Sequence, residues 1–396
     1  MMTGPAPLIA IACGGTGGHL FPGLAVAGQL AKRGCTLALI VSPKEVDQQS
    51  LKNAPQEWSV ITLPAVGLQG GNYVAFGASF LKSLAGARRA FRQLRPAALL
   101  AMGGFTGAAP LCAARSIGAK TFVHESNTIP GKANRWLARW VDQAFVGFPQ
   151  AGSQLFSRRV VVTGTPVRPQ FQSQDPVRCR KLLGLDSDRP VLLVMGGSQG
   201  AGGVNELVLA TLPLLARKGW QLLHLTGPND AEKASRACKA AGVKAVVHPF
   251  LSEMEIALGA ATVAVSRAGA SSLAEIAAMR LPTVLVPYPA ATDNHQEFNA
   301  RVFVETGAAR LLEQGKAAPE MLAKILPGLF EDSSLRQRMQ TALDAWHSPK
   351  AAEQIAESML QLLAQSGSAK PRHRHRSSCG CNHSAHRHGV GAKGAA

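Results

Sequence analysis

Short apolar runs alternate with longer amphipathic stretches along this chain, and the alternation occurs twice. LIAIAC (8–13), LALIV (37–41), AALLAM (97–102), TFVH (121–124) and QAFV (143–146) form the first set. Apolar runs this short, without a polar residue at every second position, predict strands buried on both faces of a parallel sheet. Between them, around residues 22–33, 106–117 and 130–140, the spacing is that of helices with one packed face. The pattern restarts at VLLVMGG (191–197) and continues through QLLHLTG (221–227), AVVHPF (245–250), TVAVS (262–266) and TVLVP (283–287). Two successive series of this kind predict an α/β protein of two doubly wound domains. TGTPVRPQFQ (163–172), with two prolines and no periodicity, predicts the hinge between them.

Composition adds limits rather than detail. With 396 residues, 46% hydrophobic and 17% charged, the chain can bury two cores. No apolar run approaches the roughly 18–20 residues of a membrane span. The N-terminus has no Lys or Arg before Lys32, unlike a secretory signal, so a cytoplasmic protein is expected. Cys13, Cys35, Cys112, Cys179 and Cys238 are scattered singly, as small core residues are. Charge is uneven. Residues 1–165 hold 16 Lys and Arg against 5 Asp and Glu, while residues 166–366 hold 20 against 19. A basic half beside a neutral half points to an anionic partner surface for one domain, either acidic lipid or nucleic acid. Beyond residue 366 large apolar residues nearly vanish, and a disordered tail is expected. Its Cys379, Cys381, His373, His375, His383, His386 and His388 match no standard zinc spacing, so no metal site is assigned.

The candidate chemistry gathers where strands turn into helices. CGGTGGH (13–19) and MGGSQGAGG (195–203) are glycine-rich turns that open helices, and such turns present N–H groups to phosphate. Neither is a P-loop or a clean dinucleotide fingerprint. SRAGASSLAEI (266–276) combines small residues, which let a ligand approach the backbone, with Glu275 about one turn into a helix. A carboxylate there can accept from the vicinal hydroxyls of a ribose. HESN (124–127), GGF (103–105) and DNHQEFNA (293–300) are further polar or glycine-rich strand ends on the same expected rim. The segment 72–95 carries Phe76, Phe80, Leu84, Phe91 and Leu94 on one helical stripe, with Lys82, Arg88, Arg89, Arg92 and Arg95 supplying cations. A basic amphipathic helix of this kind suits an anionic membrane surface, though a core-packed helix with a solvated face has the same pattern.

Taken in order, GGTGGH, GGF, HESN, GTPVR (164–168), GGSQGA (196–201) and SRAGASSLAEI resemble the MurG family of glycosyltransferase family 28 over residues 8–365. These are the bacterial enzymes that convert lipid I to lipid II in peptidoglycan synthesis. The resemblance implies a GT-B fold of two Rossmann-like domains facing across a cleft, with no cofactor and no metal. It implies an acceptor- and membrane-binding domain over 1–164, a UDP-GlcNAc-binding domain over 165–349, and a last helix, 350–365, returning to the first domain. The implied partners are UDP-GlcNAc, lipid I and an anionic membrane surface at the cytoplasmic face of the cell membrane, and no nucleic acid.

Carried over residue by residue, Ser198, Gln199 and Arg168 would lie near the donor diphosphate. Glu275 would take the ribose, and the Leu251 backbone the uracil. Ala270, Ser271, Ser272, Asn127 and Gln296 would meet the sugar, with Thr16 and Gly17 also on the donor side. Gly14, Gly15, Gly18, Gly103 and Gly104 would form the acceptor side. His19 is the first candidate for the base and Glu125 the second, because an imidazole with a pKa near 6.5 suits neutral pH. Membrane contact would fall to Phe76, Phe80, Lys82, Leu84 and Arg88. The chain departs from the expected HEQN and paired glutamines at Ser126 and His295. Two other readings remain open here: another GT-B glycolipid-forming transferase, and a non-enzymatic nucleotide- or nucleic-acid-binding protein.

Overall fold

The computed structural model describes residues 6–44, 47–48, 51, 55–64, 73–197 and 200–367. Its first sheet comprises β1 (Leu8–Ala12), β2 (Thr36–Val41), β3 (Ser59–Thr62), β4 (Ala98–Ala101), β5 (Lys120–Glu125), β6 (Gln143–Val146) and β7 (Val160–Val162). All pair in parallel, in the order β3-β2-β1-β4-β5-β6-β7. The second sheet comprises β8 (Val191–Met195), β9 (Gln221–Leu225), β10 (Ala245–His248), β11 (Val263–Ser266), β12 (Thr283–Leu285) and β13 (Ala309–Leu311), in the order β10-β9-β8-β11-β12-β13. Central strands such as β1, β4 and β8 are buried almost throughout, as their unbroken apolar runs require.

Three strands lie outside the predicted set, and two of them are exposed edges. β3 and β7 have mostly exposed residues, so their side chains carry no buried-strand signature, and β13 is a three-residue edge. They complete the sheets without contributing much core.

Strand order reverses between β1 and β4 in the first sheet and between β8 and β11 in the second. At such a switch point the connections leave to opposite sides and open a crevice beyond the strand ends. Four glycine-rich segments sit there: GGTGGH after β1, GGF after β4, Gly196 and Gly197 after β8, and SRAG after β11. Topology, more than glycine content, assigns these four segments to one site.

The helix Ala351–Gly367 lies on the first domain. Ile355, Ala356, Met359 and Leu362 share a buried cluster with Ile9, Leu20 and Leu39. Arg33 adds ion pairs to Glu353 (3.1 Å) and Glu357 (2.8 Å), and Gln143 donates to Ser358.

The helix Tyr73–Leu94 corrects one expectation. Leu84 and Leu94 pack against the core beside Ala87 and Phe91, and Phe91 is fully buried. Most of the predicted apolar stripe therefore faces inward, with Leu84 half-buried against that core. The apolar side chains that do project are Val74 and Leu81, 83% and 64% exposed, alongside exposed Lys82, Arg88 and Arg89. Phe76 is half-buried, edge-on to Phe105 at 5.3 Å, and Phe80 is also half-buried.

Candidate functional site

A cleft of about 580 Å³ opens between the carboxyl ends of the two sheets. On the first wall, Thr16 precedes the helix Gly17–Lys32, whose first turn brings Gly17, Gly18 and His19 to the cleft. His19 Nδ1 lies 3.2 Å from Thr16 Oγ1, while Nε2 has no hydrogen-bond partner among the described residues. The imidazole is seated against the GGF turn. A side chain at Gly103 would put its Cβ 3.1 Å from Nε2, and one at Gly104 would come equally near Cε1. Both glycines have positive φ, at +109° and +70°, so the turn and the close approach each favour glycine. Burial lowers the His19 pKa below its ordinary value. Glu125 and Asp47 oppose that shift, and His295 and Lys44 add to it.

Glu125 ends β5 and is 4% exposed. Its Oε1 accepts from the backbone and side-chain amides of Asn127, at 2.9 and 3.1 Å. Its Oε2 accepts from Gly131 N at 3.0 Å and Asn134 Nδ2 at 2.8 Å. Four donors occupy a carboxylate's usual acceptor capacity, so Glu125 organises the loop after β5, whereas the adjoining His19 keeps an open ring nitrogen. His124 is buried between Ser126 Oγ, 3.2 Å from Nδ1, and Gly164 O, 3.2 Å from Nε2. Burial lowers its pKa to about 4, so it is a neutral structural group. Ser126, where a glutamine was expected, orients that ring.

The second wall comes from the loops after β8, β10, β11 and β12. Met195, Gly196 and Gly197 line the cleft, whereas Ser198 and Gln199 lie outside the described residues, as do the cysteines and histidines of the tail. Pro249, Phe250, Leu251 and Met254 form an apolar shelf, and Ala270, Ser271, Ser272 and Glu275 line the helix that follows β11. Burial raises the Glu275 carboxyl to about 7, with Arg168 opposing and Glu255 reinforcing the shift. Gln296 Oε1 accepts from Tyr288 N, which leaves its amide N–H groups for the cleft. His295 Nδ1 donates to Thr292 O and Nε2 remains open.

A raised carboxyl lining the cleft gives a definite sign to the pH dependence of binding any hydroxyl ligand from which it accepts. Hydroxyl donors favour the ionised form, so binding below pH 7 must displace a proton. UDP affinity, followed by calorimetry, is expected to fall toward tenfold per pH unit below about 7. It levels off above that pH, and Glu275→Gln flattens the profile. Without ligand the stability effect runs the other way: Glu275's contribution is fully present below 4.5 and is lost as pH rises through about 7.

Polar contacts tie the two walls together. Ser271 Oγ donates to Gly18 O at 2.9 Å. Asn299, fully buried, accepts from Thr128 N and Oγ1 and donates to Asn127 Oδ1 and Ala268 O, all at 2.9–3.1 Å. Lys132 approaches Asp293 at 3.8 Å.

Most of the described candidates therefore meet in one cleft, but four do not line it. Gly14 and Gly103 are buried, and Gly15, half-buried, has its N already bonded to Asp47. An acceptor diphosphate would find open N–H groups at the helix start instead. Arg168 stacks between Phe21 and Phe171 at 4.3 and 5.0 Å, and its Nε and Nη2 are buried without partners among the described residues.

Several cleft residues had no assigned role in the sequence. Arg267 donates to Val286 O and Pro287 O and stacks near Tyr288. Its place in SRAG was a readable signal. Phe21 and Asn134 were not marked by any local pattern, whereas Asn299, buried behind the cleft, belongs to the polar strand end DNHQEFNA.

Two facing Rossmann-like domains with a cleft between the carboxyl ends of their sheets are the arrangement of the GT-B fold. The glycosyltransferase family 28 N-terminal domain matches residues 9–146 and its C-terminal domain residues 191–371, and the chain belongs to that family. A relative from Anaeromyxobacter sp. (strain Fw109-5) is 33% identical over 92% of this chain and 97% of its own. One from Parasynechococcus marenigrum (strain WH8102) is 36% identical over 89% and 98%. Both are named UDP-N-acetylglucosamine--N-acetylmuramyl-(pentapeptide) pyrophosphoryl-undecaprenol N-acetylglucosamine transferase. The crystal structure of Acinetobacter baumannii MurG superposes with a TM-score of 0.69 at 27% identity, covering 90% of this chain and all of that one.

Proposed function

We propose that this chain transfers N-acetylglucosamine from UDP-GlcNAc to the C4 hydroxyl of undecaprenyl-diphospho-MurNAc-pentapeptide, giving lipid II and UDP. The full-length likeness to relatives of that one named activity supports the substrates. The observation that carries the mechanism is the open Nε2 of His19, facing a donor wall across the cleft.

The acceptor oxygen attacks the anomeric carbon as the bond from that carbon to the diphosphate oxygen breaks, inverting the configuration. His19 Nε2 takes the hydroxyl proton, and the departing UDP keeps the bonding electron pair. The helix starts after β8 and β11 direct N–H dipoles at that developing charge. Asn127 and Gln296 orient the sugar, Glu275 holds the ribose and the Leu251 shelf holds the base.

The lipid tail of the acceptor leaves the cleft past Phe105, which lines the cleft, is 44% exposed and touches Phe76. With Val74, Leu81, Lys82, Arg88 and Arg89 beside it, this rim meets the acidic cytoplasmic face of the membrane as a peripheral contact. Among the described residues, no helix is long and apolar enough to cross a membrane.

The test is UDP release from UDP-GlcNAc, with lipid I in acidic vesicles and with lipid I omitted. Release that depends on lipid I and persists in chelator is expected. Release without acceptor, or with UDP-galactose but not UDP-GlcNAc, would overturn the reading.

A further inference from the structure

Asp47 is fully buried beneath the first glycine-rich turn and has no assigned role in the reaction. Its Oδ2 accepts from Gly15 N at 2.7 Å, Ser42 N at 3.0 Å and Ser42 Oγ at 2.6 Å. Lys44 Nζ donates to Gly15 O at 3.0 Å, and Thr106 Oγ1 donates to Gly14 O at 2.7 Å. The residue at Gly15 is thus gripped at both its N–H and its C=O, in a conformation with φ +108°. Gly14 allows the turn to lie against the end of β2, because a Cβ there would stand 2.4 Å from Ser42 N. The next residue is Thr16, whose hydroxyl meets His19 Nδ1.

A buried carboxylate is a costly way to hold a turn that a neutral side chain could also hold. Its Oδ1 has no hydrogen-bond partner among the described residues. His19 lies within electrostatic reach.

We propose that Asp47 is a positioning residue for the transfer, fixing through the Gly15 peptide the turn that carries Thr16 and His19 and setting a negative charge within electrostatic reach of that imidazole. This rests on the reading of His19 as the base. The charged and titratable groups that act on His19 are Glu125 and Asp47, which favour its protonated form, and Lys44 and His295, which disfavour it. Glu125 shares its charge with four N–H donors. Without the Asp47 charge, burial and two cationic or titratable neighbours act on the imidazole against Glu125 alone, and it becomes a weaker base.

The experiment compares wild type, Asp47→Asn, Asp47→Glu and His19→Ala by kinetics against pH, by UDP binding and by an NMR titration of the His19 ring. In Asp47→Asn the ring titrates at lower pH than in wild type, and the acidic limb of kcat moves the same way. The kcat at neutral pH falls about tenfold, the combined effect of a weaker base and a looser turn, while UDP affinity is retained. Asp47→Glu, which restores the charge, recovers the wild-type titration. A His19 titration unchanged in Asp47→Asn overturns the proposal, even if kcat falls. So does a loss in Asp47→Asn that Asp47→Glu leaves unrelieved while both variants melt like wild type. Near-normal turnover in His19→Ala instead removes the base assignment itself, and the NMR titration still reports on Asp47.

Discussion

His19→Ala is expected to lower kcat by about 10²–10⁴-fold, the usual contribution of a positioned general base, with UDP affinity unchanged. The split follows from where the ring sits. Nδ1 is engaged by Thr16, Nε2 is open among the described residues, and the proposed ribose and uracil contacts lie on the opposite wall. Its effect is confined to the step in which the acceptor loses a proton. The pH profile carries the sign of the pKa shift. Burial lowers the imidazole's pKa from its ordinary value, so the acidic limb of kcat lies lower than a solvated histidine would place it. Steady-state kinetics with UDP binding on the same samples checks both points. A parallel loss of UDP affinity and kcat would point to a collapsed helix start rather than a missing base.

Asn299→Ala is expected to destabilise the protein by several kcal/mol and to lower kcat with it. The amide satisfies Thr128 N and Oγ1 from one domain, and Asn127 Oδ1 and Ala268 O. Truncation leaves those groups in a buried seam without partners, at about 1–3 kcal/mol for each that water cannot reach. The domains can relieve that cost by parting, which admits water and withdraws Asn127 from the cleft. Thermal melting with and without saturating UDP, together with small-angle scattering, separates the two responses. A variant that melts and turns over like wild type would remove Asn299 from the tie between the domains. Asn299→Asp is the sharper case, since it turns an oxygen toward two oxygens.

Much of this site is legible in the sequence because glycine and polar residues interrupt apolar strands at a few places only. GGTGGH, GGF, HESN and SRAG each follow a strand readable as a buried run, so both their location and their chemistry carry signal. The helix Tyr73–Leu94 shows the opposite case. Its apolar stripe has the same periodicity whether it faces a core or a bilayer, and the strands beneath it decide. Leu84 turned inward, while Val74 and Leu81, which sit off the stripe, point outward. β3 and β7 were missed for a related reason: an exposed edge strand needs no apolar pattern.

By itself, the sequence determined two β/α series, their class, and the strand ends that hold the chemistry, because burial imposes residue types locally and repeatedly. It also carried the order and spacing of motifs by which the family is recognised. Only the tertiary structure decided which of those residues act together. Asp47 lies 32 residues from Gly15, and Asn299 lies 171 from Thr128. No local pattern marks a hydrogen bond between segments so far apart. The division of labour between Glu125 and His19 was decided in the same way. Both are polar residues at a strand end, and what separates them is that four donors surround the carboxylate while one imidazole nitrogen is left open.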